Sequence, residues 1–340
     1  MLNRKKILRI ALIILIVIFS TSALASNLQV HFIDVGQGDS ILIQSPDDHN
    51  MLIDGGPRSA DDKVTSYLQN QGVDKLEYII STHPHADHIG GLLPVLEKFK
   101  VNQIIDSGRV HTSKTYENYL LKIDELDIPY QKGRTGDTFK LGDIEFTVLH
   151  PDHDNYDLNN SSVVLLGEYD LVSFLFAGDA EHEAEKAIIK NNDDVQADVI
   201  KVGHHGSRTS SSSSVLSKVS PEAAVIMAGE GNQYGHPHDE TLDALAANDI
   251  DIYRTDKHGT IVTTTDGETI EISTEHDAET TSGADPGEEK FVGSVNSDKY
   301  HYPSCRWAEN INPENEVWFD TAEEAQNQGY EPCGTCKPPS

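Results

Sequence analysis

The chain has 340 residues, of which 37% are hydrophobic, and its formal net charge at pH 7 is −30. This length and apolar content are sufficient for one large or two ordinary folded domains, which excludes a wholly disordered chain. The acidic excess argues against a protein that binds nucleic acid through a broad basic face, because its field repels polyanions, although metal ions at a site would add local positive charge.

The amino terminus has the layout of a secretory signal peptide. A basic start, MLNRKKILR, is followed by the short apolar run IALIILIVIF and by the small-residue sequence Ala23-Leu24-Ala25. Residues 1–25 are therefore predicted to be a signal peptide that is cleaved after Ala25. The alternative is an uncleaved membrane anchor, although the apolar run is shorter than a full bilayer span. In both cases we expect the folded part to lie outside the cytoplasm. After cleavage it would be secreted, with no stable membrane insertion, whereas an uncleaved segment would anchor it to the membrane.

Residues 27–273 alternate short apolar strands with amphipathic helices. β-branched and aromatic residues at strand spacing predict strands at 30–33, 40–43, 51–53, 77–81, 145–149, 162–166, 173–177, 199–202 and 223–228. Apolar residues at helical spacing predict helices at 60–71, 92–99, 116–126, 181–190 and 239–247. Two sheets flanked by helices fit this order of elements.

The most informative motif is THPHADHIGG, residues 82–91. It follows a predicted strand and precedes a predicted helix, so it lies on a strand-to-helix turn. On such a turn His83 and His85 can point to one side, while Asp87 and His88 start the next helical turn. Imidazole and carboxylate ligands suit zinc, manganese or iron, and two adjacent cations clamp both oxygens of a displacement reaction. The spacing therefore predicts a site for two metals.

HPHADH resembles the HxHxDH signature of the metallo-β-lactamase fold superfamily. Further segments follow in the order seen in the hydrolase domain of ComEC/Rec2-type competence proteins, a DNA-uptake channel family: HFIDVGQGDSILI, MLIDGG, FLFAGD, VIKVGHHGS and YGHPH. The resemblance covers residues 27–273. It implies an α/β (α+β) fold, the αββα metallo-β-lactamase sandwich, with the metal loops along one edge.

The family pattern implies a role for each residue of these motifs. His83 and His85 would bind the first cation, and Asp87 with His88 the second. Asp179 would bridge the two cations, and His204, or failing that His205, would complete the second site. A hydroxide between two divalent ions, zinc or manganese, would then attack phosphorus. Three aspartates are expected to orient ligands from behind: Asp34, Asp39 and Asp54.

The third histidine of the first cation is missing from its usual place. That region reads DHDNYDLNNSSVVL, with Asn159 and Asn160 where a histidine is expected, and with His150 and His153 slightly earlier. The first cation is therefore predicted to be held loosely, through His150 or an asparagine, or to bind only with substrate, and Asn160 is expected to support the ligands without contacting the metal. Because of this departure from the family pattern, manganese is as plausible a metal for the site as zinc.

Other residues near the motifs are open to two interpretations. His236 and His238 of YGHPH either donate a proton to the leaving oxygen or bind a phosphate oxygen, or they are turn histidines. The tract SRTSSSSS, residues 207–214, is either a loop whose hydroxyls and amides cradle phosphate or a polar loop without a ligand. Lys201 faces either the core rim or the site.

The composition changes after Thr274. The sequence EHDAETTSGADPGEE has no apolar periodicity, so residues 274–290 are predicted to be a disordered acidic linker. In residues 291–340, the pair His301 and Cys305 and the pair Cys333 and Cys336 have the spacing of a tetrahedral zinc site. The alternative is a disulfide between Cys333 and Cys336 that leaves Cys305 free.

This last segment is similar to the zinc-binding module of the Ada DNA-repair protein. His301 stands where that family has its first cysteine. We expect a structural zinc, because so short a module buries little apolar surface and a closed metal site supplies the missing folding energy.

Three functions remain after these observations. The leading hypothesis is a secreted metal-dependent phosphodiesterase, a DNase acting on extracellular DNA, as the competence-protein resemblance implies. The second keeps the site but changes the substrate to a lactone, a β-lactam, a phosphocholine ester or another small ester. The third is a non-catalytic surface binding module, against which the intact HPHADH, AGD and GHHGS motifs argue. The sequence leaves the oligomeric state open.

Overall fold

The computed structural model describes residues 27–277, 291–302, 305, 307–308, 311, 315–319, 321–336 and 338. The predicted signal peptide, residues 1–25, lies outside the described residues, as do residues 278–290 of the predicted linker. Within the described part of the chain, no helix has the length and apolar character needed to cross a membrane.

The larger unit, residues 27–277, alternates strands and helices. Its strands are β1 (Leu28–Phe32), β2 (Ile41–Gln44), β3 (Asn50–Ile53), β4 (Lys75–Ser81), β5 (Lys100–Asp106), β6 (Tyr130–Lys132), β7 (Thr138–Leu141), β8 (Ile144–His150), β9 (Val164–Tyr169), β10 (Val172–Phe176), β11 (Val199–Lys201), β12 (Ala223–Ile226), β13 (Asp251–Arg254), β14 (Ile261–Thr265) and β15 (Ile270–Thr274). Its helices are α1 (Asp61–Asn70), α2 (Ala86–Ile89), α3 (Leu92–Lys98), α4 (Lys114–Glu125), α5 (His182–Asn191), α6 (Ser213–Val219), α7 (Asp239–Ala246) and α8 (Thr255–His258).

The strands of this unit form two mixed sheets. The first has the order β15-β14-β1-β2-β3-β4-β5-β6, and the second has the order β13-β12-β11-β10-β9-β8-β7. Strands β3 to β6 are parallel in the first sheet, and strands β10 to β13 are parallel in the second. Because parallel strands end on the same side of a sheet, the loops that follow them can meet at one edge.

Alternating side chains build an apolar layer between the sheets and another on each outer face. In β10, Phe174 and Phe176 point into the inner layer, whereas Leu175 points to the outer face of the second sheet. In β2, Ile41 and Ile43 join the inner layer, and Leu42 lies on the outer face of the first sheet. Helices α1, α3 and α4 cover the first outer face, and α5, α6 and α7 cover the second. The predicted αββα sandwich is therefore confirmed.

The serine tract contains a helix that the sequence analysis did not predict. The N-cap of α6 is Ser212, whose side-chain oxygen accepts a hydrogen bond from the backbone N–H of Val215 at 3.4 Å. Val215, Leu216 and Val219 of this helix are buried against the second sheet. The run of serines hides this short amphipathic pattern in the sequence.

The sandwich also extends past its predicted end. Strand β15 includes Thr274, and the backbone N–H of His276 donates to the carbonyl of His258 at 2.9 Å. The Glu275 carboxylate accepts a hydrogen bond from the backbone N–H of Thr260, also at 2.9 Å. Residues 274–276 therefore belong to the folded domain and not to the linker.

A small second unit follows. Its elements are β16 (Phe291–Ser294), β17 (Lys299–His301), β18 (Glu316–Phe319), α9 (Ala322–Asn327) and β19 (Glu331–Pro332). Its strands pair in the order β18-β16-β17-β19. Among the described residues, two small apolar clusters form its core, one of Phe291, Tyr300, Phe319 and Ala325 and the other of Val292, Cys305, Ala308 and Cys333. So few core residues supply little stability, which is consistent with the need for a metal.

Candidate metal centre

The histidine motif occupies the turn between β4 and α2. Asp54, directly after the neighbouring strand β3, accepts hydrogen bonds from the backbone N–H of Thr82 at 2.9 Å and from its hydroxyl at 2.6 Å. The backbone of Asp54 has a φ of 56°, in the left-handed region that aspartate tolerates better than most residues. These bonds fix the start of the motif against the first sheet.

Two glycines after the motif allow helix α2 to pack closely. A Cβ atom at Gly91 would lie 2.1 Å from the carbonyl oxygen of Gly55, and one at Gly90 would lie 2.5 Å from the backbone nitrogen of Arg58. Only a residue without a side chain permits this approach. The GG of HIGG therefore seats the metal-binding turn against the loop that follows β3.

Asp179, after β10, lies at the centre of the site and is buried. Its Oδ2 atom is 3.6 Å from Nε2 of His83 and 3.2 Å from Nε2 of His88. The same oxygen is 3.5 Å from Nε2 of His205 and 4.0 Å from Nε2 of His204. One carboxylate thus faces imidazoles from both sheets, which is the arrangement needed for a ligand shared by two cations.

The outer nitrogens of the central histidines are held by protein groups. Nδ1 of His88 is 2.7 Å from the Asp54 carboxylate, and Nδ1 of His205 is 2.9 Å from the carbonyl oxygen of Met227. Nδ1 of His83 is 3.2 Å from the hydroxyl of Thr82. Such contacts fix the ring orientation and direct Nε2 inward, as expected of metal-ligating histidines.

The inward atoms fit a divalent cation. Among the described residues, Nε2 of His88, Nε2 of His205 and Oδ1 of Asp179 are buried without a hydrogen-bond partner. Burial lowers the pKa of His83, which favours the neutral imidazole that binds metal. Burial also acts on His205, but the Asp179 and Asp39 carboxylates outweigh it and raise the pKa of His205 to about 9. A cation that binds His205 therefore replaces a proton.

A second cation would find a full set of candidate ligands here. Asp87, His88 and His205 bring their ligand atoms within 4.8 Å of one another, beside Asp179. The sequence analysis preferred His204 at this position, but the structure places His205 here. The two residues have φ angles of 47° and 54°, and this paired left-handed backbone turns adjacent imidazoles in different directions.

The first cation would lie beside His83 and Asp179, whose ligand atoms come within 4.8 Å of each other and of His88. His85, the other predicted ligand, contacts His83 but belongs to no such group among the described residues. Nε2 of His83 is 2.9 Å from Nδ1 of His85, so the two rings converge. His204 reaches this side, where its Nε2 is 3.4 Å from the side-chain nitrogen of Asn159. His204 therefore stands near the position that the missing histidine leaves open. Sequence spacing does not reveal this, because His204 is on the opposite sheet from His83.

His150, the ligand suggested from sequence for the first cation, lies outside the cluster, as does Asn160, which the sequence analysis expects to be a supporting residue. Nε2 of His150 is 2.6 Å from the backbone carbonyl oxygen of Asn160, and burial lowers the pKa of His150 to about 4. The Asn160 side chain accepts hydrogen bonds from the backbone N–H groups of Glu181 and Ala184 at 3.2 and 3.1 Å. Both side chains therefore support the loop that carries Asn159, which itself lines the cavity above Asp179.

Lys201, which the sequence left unassigned, is buried beside the ligands. Its ammonium forms an ion pair with Asp39, donates to the carbonyl oxygen of Gly178 at 2.8 Å and lies 3.9 Å from Oδ1 of Asp179. Asp39 in turn lies 3.3 Å from Nδ1 of His205. Lys201 therefore balances carboxylate charge behind the metal ligands. A lysine within the apolar segment VIKVG is the sequence signal for such a role, since a buried lysine needs a partner.

Asp34 does not join these supporting residues. Its carboxylate pairs with Lys63 at 2.7 Å and accepts a hydrogen bond from the backbone N–H of Gly36 at 3.0 Å. It therefore shapes the turn after β1, and its described contacts do not include a metal-ligand side chain.

Of the two histidines in YGHPH, only His236 lines the cavity above Asp179, which has a volume of about 240 Å³. Its ring centre is 5.4 Å from that of His204. Burial, together with the neighbouring imidazoles, lowers the pKa of His236 to about 4, which favours a neutral ring. His238 instead accepts a hydrogen bond from the backbone N–H of Arg208 at 3.1 Å and precedes α7. It fits the interpretation as a turn histidine.

The serine tract does not offer a free phosphate cradle at its centre. The backbone N–H groups of Ser211 and Ser212 donate to the carboxylate of Glu185, which is itself buried. The hydroxyl of Ser210 donates to the carbonyl oxygen of Gly203 at 2.7 Å. These bonds make the tract a support for the GHHG turn.

The small second unit contains the other metal group. The ligand atoms of His301, Cys305, Cys333 and Cys336 lie within 4.8 Å of one another. These cysteines are free of disulfides, so the alternative pairing of Cys333 with Cys336 is not formed. Three sulfurs and one imidazole in a closed group suit a structural zinc.

Replacement of Lys201 by methionine is expected to destabilise the metal-free protein. The substitution removes the Lys201 ammonium from the buried carboxylates of Asp39 and Asp179, so the free energy of unfolding should fall by about 3–5 kcal/mol. Urea denaturation of the metal-free wild-type and variant proteins measures this difference in the free energy of unfolding. The control is Lys140→Met, at an exposed lysine, for which we expect a change within about 0.5 kcal/mol. Equal effects of the two substitutions would contradict the role of Lys201.

Single alanine substitutions should separate the two exchangeable cations. His205→Ala is expected to remove the second cation and His204→Ala to weaken the first, because each variant deletes one inward nitrogen. Metal content after dialysis against zinc or manganese measures this, with the cysteine-bound zinc as internal reference. His153→Ala, at a half-exposed histidine outside the cluster, is the control and should retain both cations. Retention of both cations in His205→Ala would contradict the assignment.

Comparison with known proteins agrees with this geometry. Residues 33–230 match the metallo-beta-lactamase superfamily, and residues 282–339 match the metal binding domain of Ada. The chain is 34% identical over 267 residues to ComE operon protein 3 of Bacillus subtilis. This alignment covers 73% of this chain and 34% of that protein. The chain is also 30% identical over 223 residues to Recombination protein 2 of Haemophilus influenzae. That alignment covers 64% of this chain and 26% of that protein.

The chain thus spans about a third or less of the length of these curated relatives. Among solved structures, the metallo-beta-lactamase fold protein YhfI from Bacillus subtilis aligns with a TM-score of 0.43 and 14% identity, covering 66% of this chain and 96% of that chain. The predicted resemblances to competence proteins and to the Ada module are confirmed. The chain belongs to the metallo-beta-lactamase superfamily, with a hydrolase fold related to that of ComEC/Rec2-type competence proteins and a second unit of the Ada metal-binding type.

Proposed function

We propose that the protein is a metal-dependent phosphodiesterase that hydrolyses DNA. The observation that carries the proposal is Asp179, whose Oδ2 atom lies within 4.0 Å of imidazole nitrogens from both sheets. Two divalent cations bound there would supply an activated water and neutralise charge on the phosphate oxygens. Zinc and manganese both suit the mixed imidazole and carboxylate ligands.

The residues around the cations provide the remaining contacts. His236 lines the cavity with Nδ1 free of a hydrogen-bond partner among the described residues, so its ring can bind a phosphate oxygen. Oδ1 of Asn159 is likewise unpartnered, and the Asn159 side chain lines the same cavity. Lys201 and Asp39 hold the ligands from behind and keep their geometry during the reaction.

The cavity at the metal centre has room for a phosphodiester group. The space above Asp179 is about 240 Å³, and it shares four lining residues with a neighbouring cavity of about 620 Å³. A single phosphate group fits there while the rest of a polymer lies outside. Two of the relatives are named as a ComE operon protein and a recombination protein, which supports DNA as the substrate class.

We propose further that the enzyme is secreted and acts on extracellular DNA. The support is the basic, apolar and small-residue layout of residues 1–25, which is typical of a secretory signal. The strongly acidic surface favours solubility, and cations bound at the site would provide local positive charge for the polyanion.

The purified protein is expected to degrade single- or double-stranded DNA in the presence of manganese or zinc. Asp179→Asn should lower kcat/KM by at least about 100-fold, the scale of losing one preorganised electrostatic group. Gel and fluorescence assays of labelled oligonucleotides measure this. The matched control is Asp62→Asn, at an exposed aspartate of α1, which should retain full activity. The proposal fails if small esters are hydrolysed but DNA is not degraded with any metal.

A further inference from the structure

We propose that a groove beside the metal centre binds the nucleotide next to the scissile phosphate. In this arrangement Tyr234 stacks on the base and Arg58 pairs with the following phosphate. The inference rests on the proposed function and adds to it a site for the substrate outside the cations. It is argued from the shape of the groove, its charge and the support of Tyr234.

The groove is continuous with the cavity above Asp179. A second cavity, of about 620 Å³, shares Gln37, Ala86, Asp87 and Tyr234 with the first. From these shared residues it runs to Arg58, at the turn before α1. Its volume lies within the range of about 300–1,000 Å³ that accommodates a small-molecule-sized group such as a nucleotide. A DNA strand that is cleaved at the metal centre beside Asp179 could therefore extend along this groove.

The charge of the groove differs from that of the whole chain. The sequence has 56 acidic and 26 basic residues, yet Asp87 is the one acidic residue in this lining and Arg58 the one basic residue. Asp87 is a candidate metal ligand, so its charge would be neutralised by the cation. The other polar groups of the lining include the amides of Gln37, Asn232 and Gln233. The groove is therefore a path on an acidic protein along which a polyanion meets little repulsion.

Tyr234 is built as an exposed aromatic platform. Its side chain is 56% exposed, and its ring stacks on that of His236 with centres 5.7 Å apart and planes inclined by 25°. The Asn232 side chain holds the loop, since its Oδ1 accepts hydrogen bonds from the backbone N–H groups of Tyr234 at 3.1 Å and of His236 at 3.0 Å. A fixed, exposed ring is suited to stacking with any base.

Arg58 provides the cation at the far end of the groove. Its backbone is held by the close approach of Gly90, described above, which ties its position to the metal-binding turn. Arg208, on the serine tract, is by contrast paired with Glu240 at 2.9 Å. Arginine recognises phosphate through charge and paired donors, so Arg58 suits the next phosphate of the backbone.

The test compares a substrate with bases and a substrate without them. For the full chain with manganese, kcat/KM is measured on a single-stranded oligonucleotide, on the same oligonucleotide with abasic residues, and on bis(p-nitrophenyl) phosphate. Tyr234→Ala is expected to lower the ratio of oligonucleotide to bis(p-nitrophenyl) phosphate activity by about 10-fold, mainly through KM. Tyr234→Phe keeps the ring and should preserve the ratio. With the abasic oligonucleotide, the loss caused by Tyr234→Ala should disappear.

Arg58 is tested by the salt dependence of KM. Arg58→Gln should raise KM for the oligonucleotide and reduce the slope of log KM against log salt by about one, because one phosphate contact is lost. Lys140→Gln removes the same charge at an exposed site outside the groove lining and should leave the slope unchanged.

The outcomes separate this inference from the proposed function. Suppose that wild-type protein cleaves DNA and that Tyr234→Ala lowers kcat/KM equally for the oligonucleotide and for bis(p-nitrophenyl) phosphate. The tyrosine then only supports His236, and the groove proposal is overturned. An unchanged oligonucleotide KM in both variants would overturn it as well. If wild-type protein hydrolyses bis(p-nitrophenyl) phosphate but no oligonucleotide, the proposed function itself fails.

Discussion

Burial of the Asp179 carboxylate among imidazoles is the constraint on which the rest of the site depends. A buried charge is costly unless it is paired. Here the partners are the inward nitrogens of histidines from both sheets and the ammonium of Lys201. Asp39 and Asp54 hold the outer nitrogens of His205 and His88, so each additional carboxylate is also matched by a cation or a donor. Divalent cations would complete this balance of charge.

The sandwich fold makes such a cluster accessible to substrate. The loops after β3 and β4 in the first sheet meet those after β10 and β11 in the second, because the parallel strands of each sheet end at the same edge. The apolar layer between the sheets, which includes Phe32, Phe146 and Phe176, fixes how these loops face each other. The reactive groups therefore lie on rigid strand ends, while the groove toward Arg58 remains open.

Much of the fold and part of the site could be predicted from sequence. Strand and helix periodicities predict most of the elements, and the family resemblance implies their arrangement as a sandwich. HPHADH identifies the centre of the site because its candidate ligands are close in sequence. The remainder depends on contacts across the sheets. Spacing cannot tell which way His204 and His205 turn, because that depends on two left-handed backbone conformations. His150 has the right residue type for a metal ligand, but its Nε2 contacts the backbone carbonyl of Asn160. Asp34 likewise forms an ion pair with Lys63, and its described contacts do not include the metal ligands.

The central claim is that Asp179 is shared by two cations. Anomalous diffraction from crystals grown with manganese tests it most directly. We predict two peaks about 3.5–4 Å apart, as in other two-metal sites, one beside His83 and His85 and the other beside Asp87 and His205, with Asp179 in contact with both. A single peak, or two peaks of which one does not touch Asp179, would contradict the account.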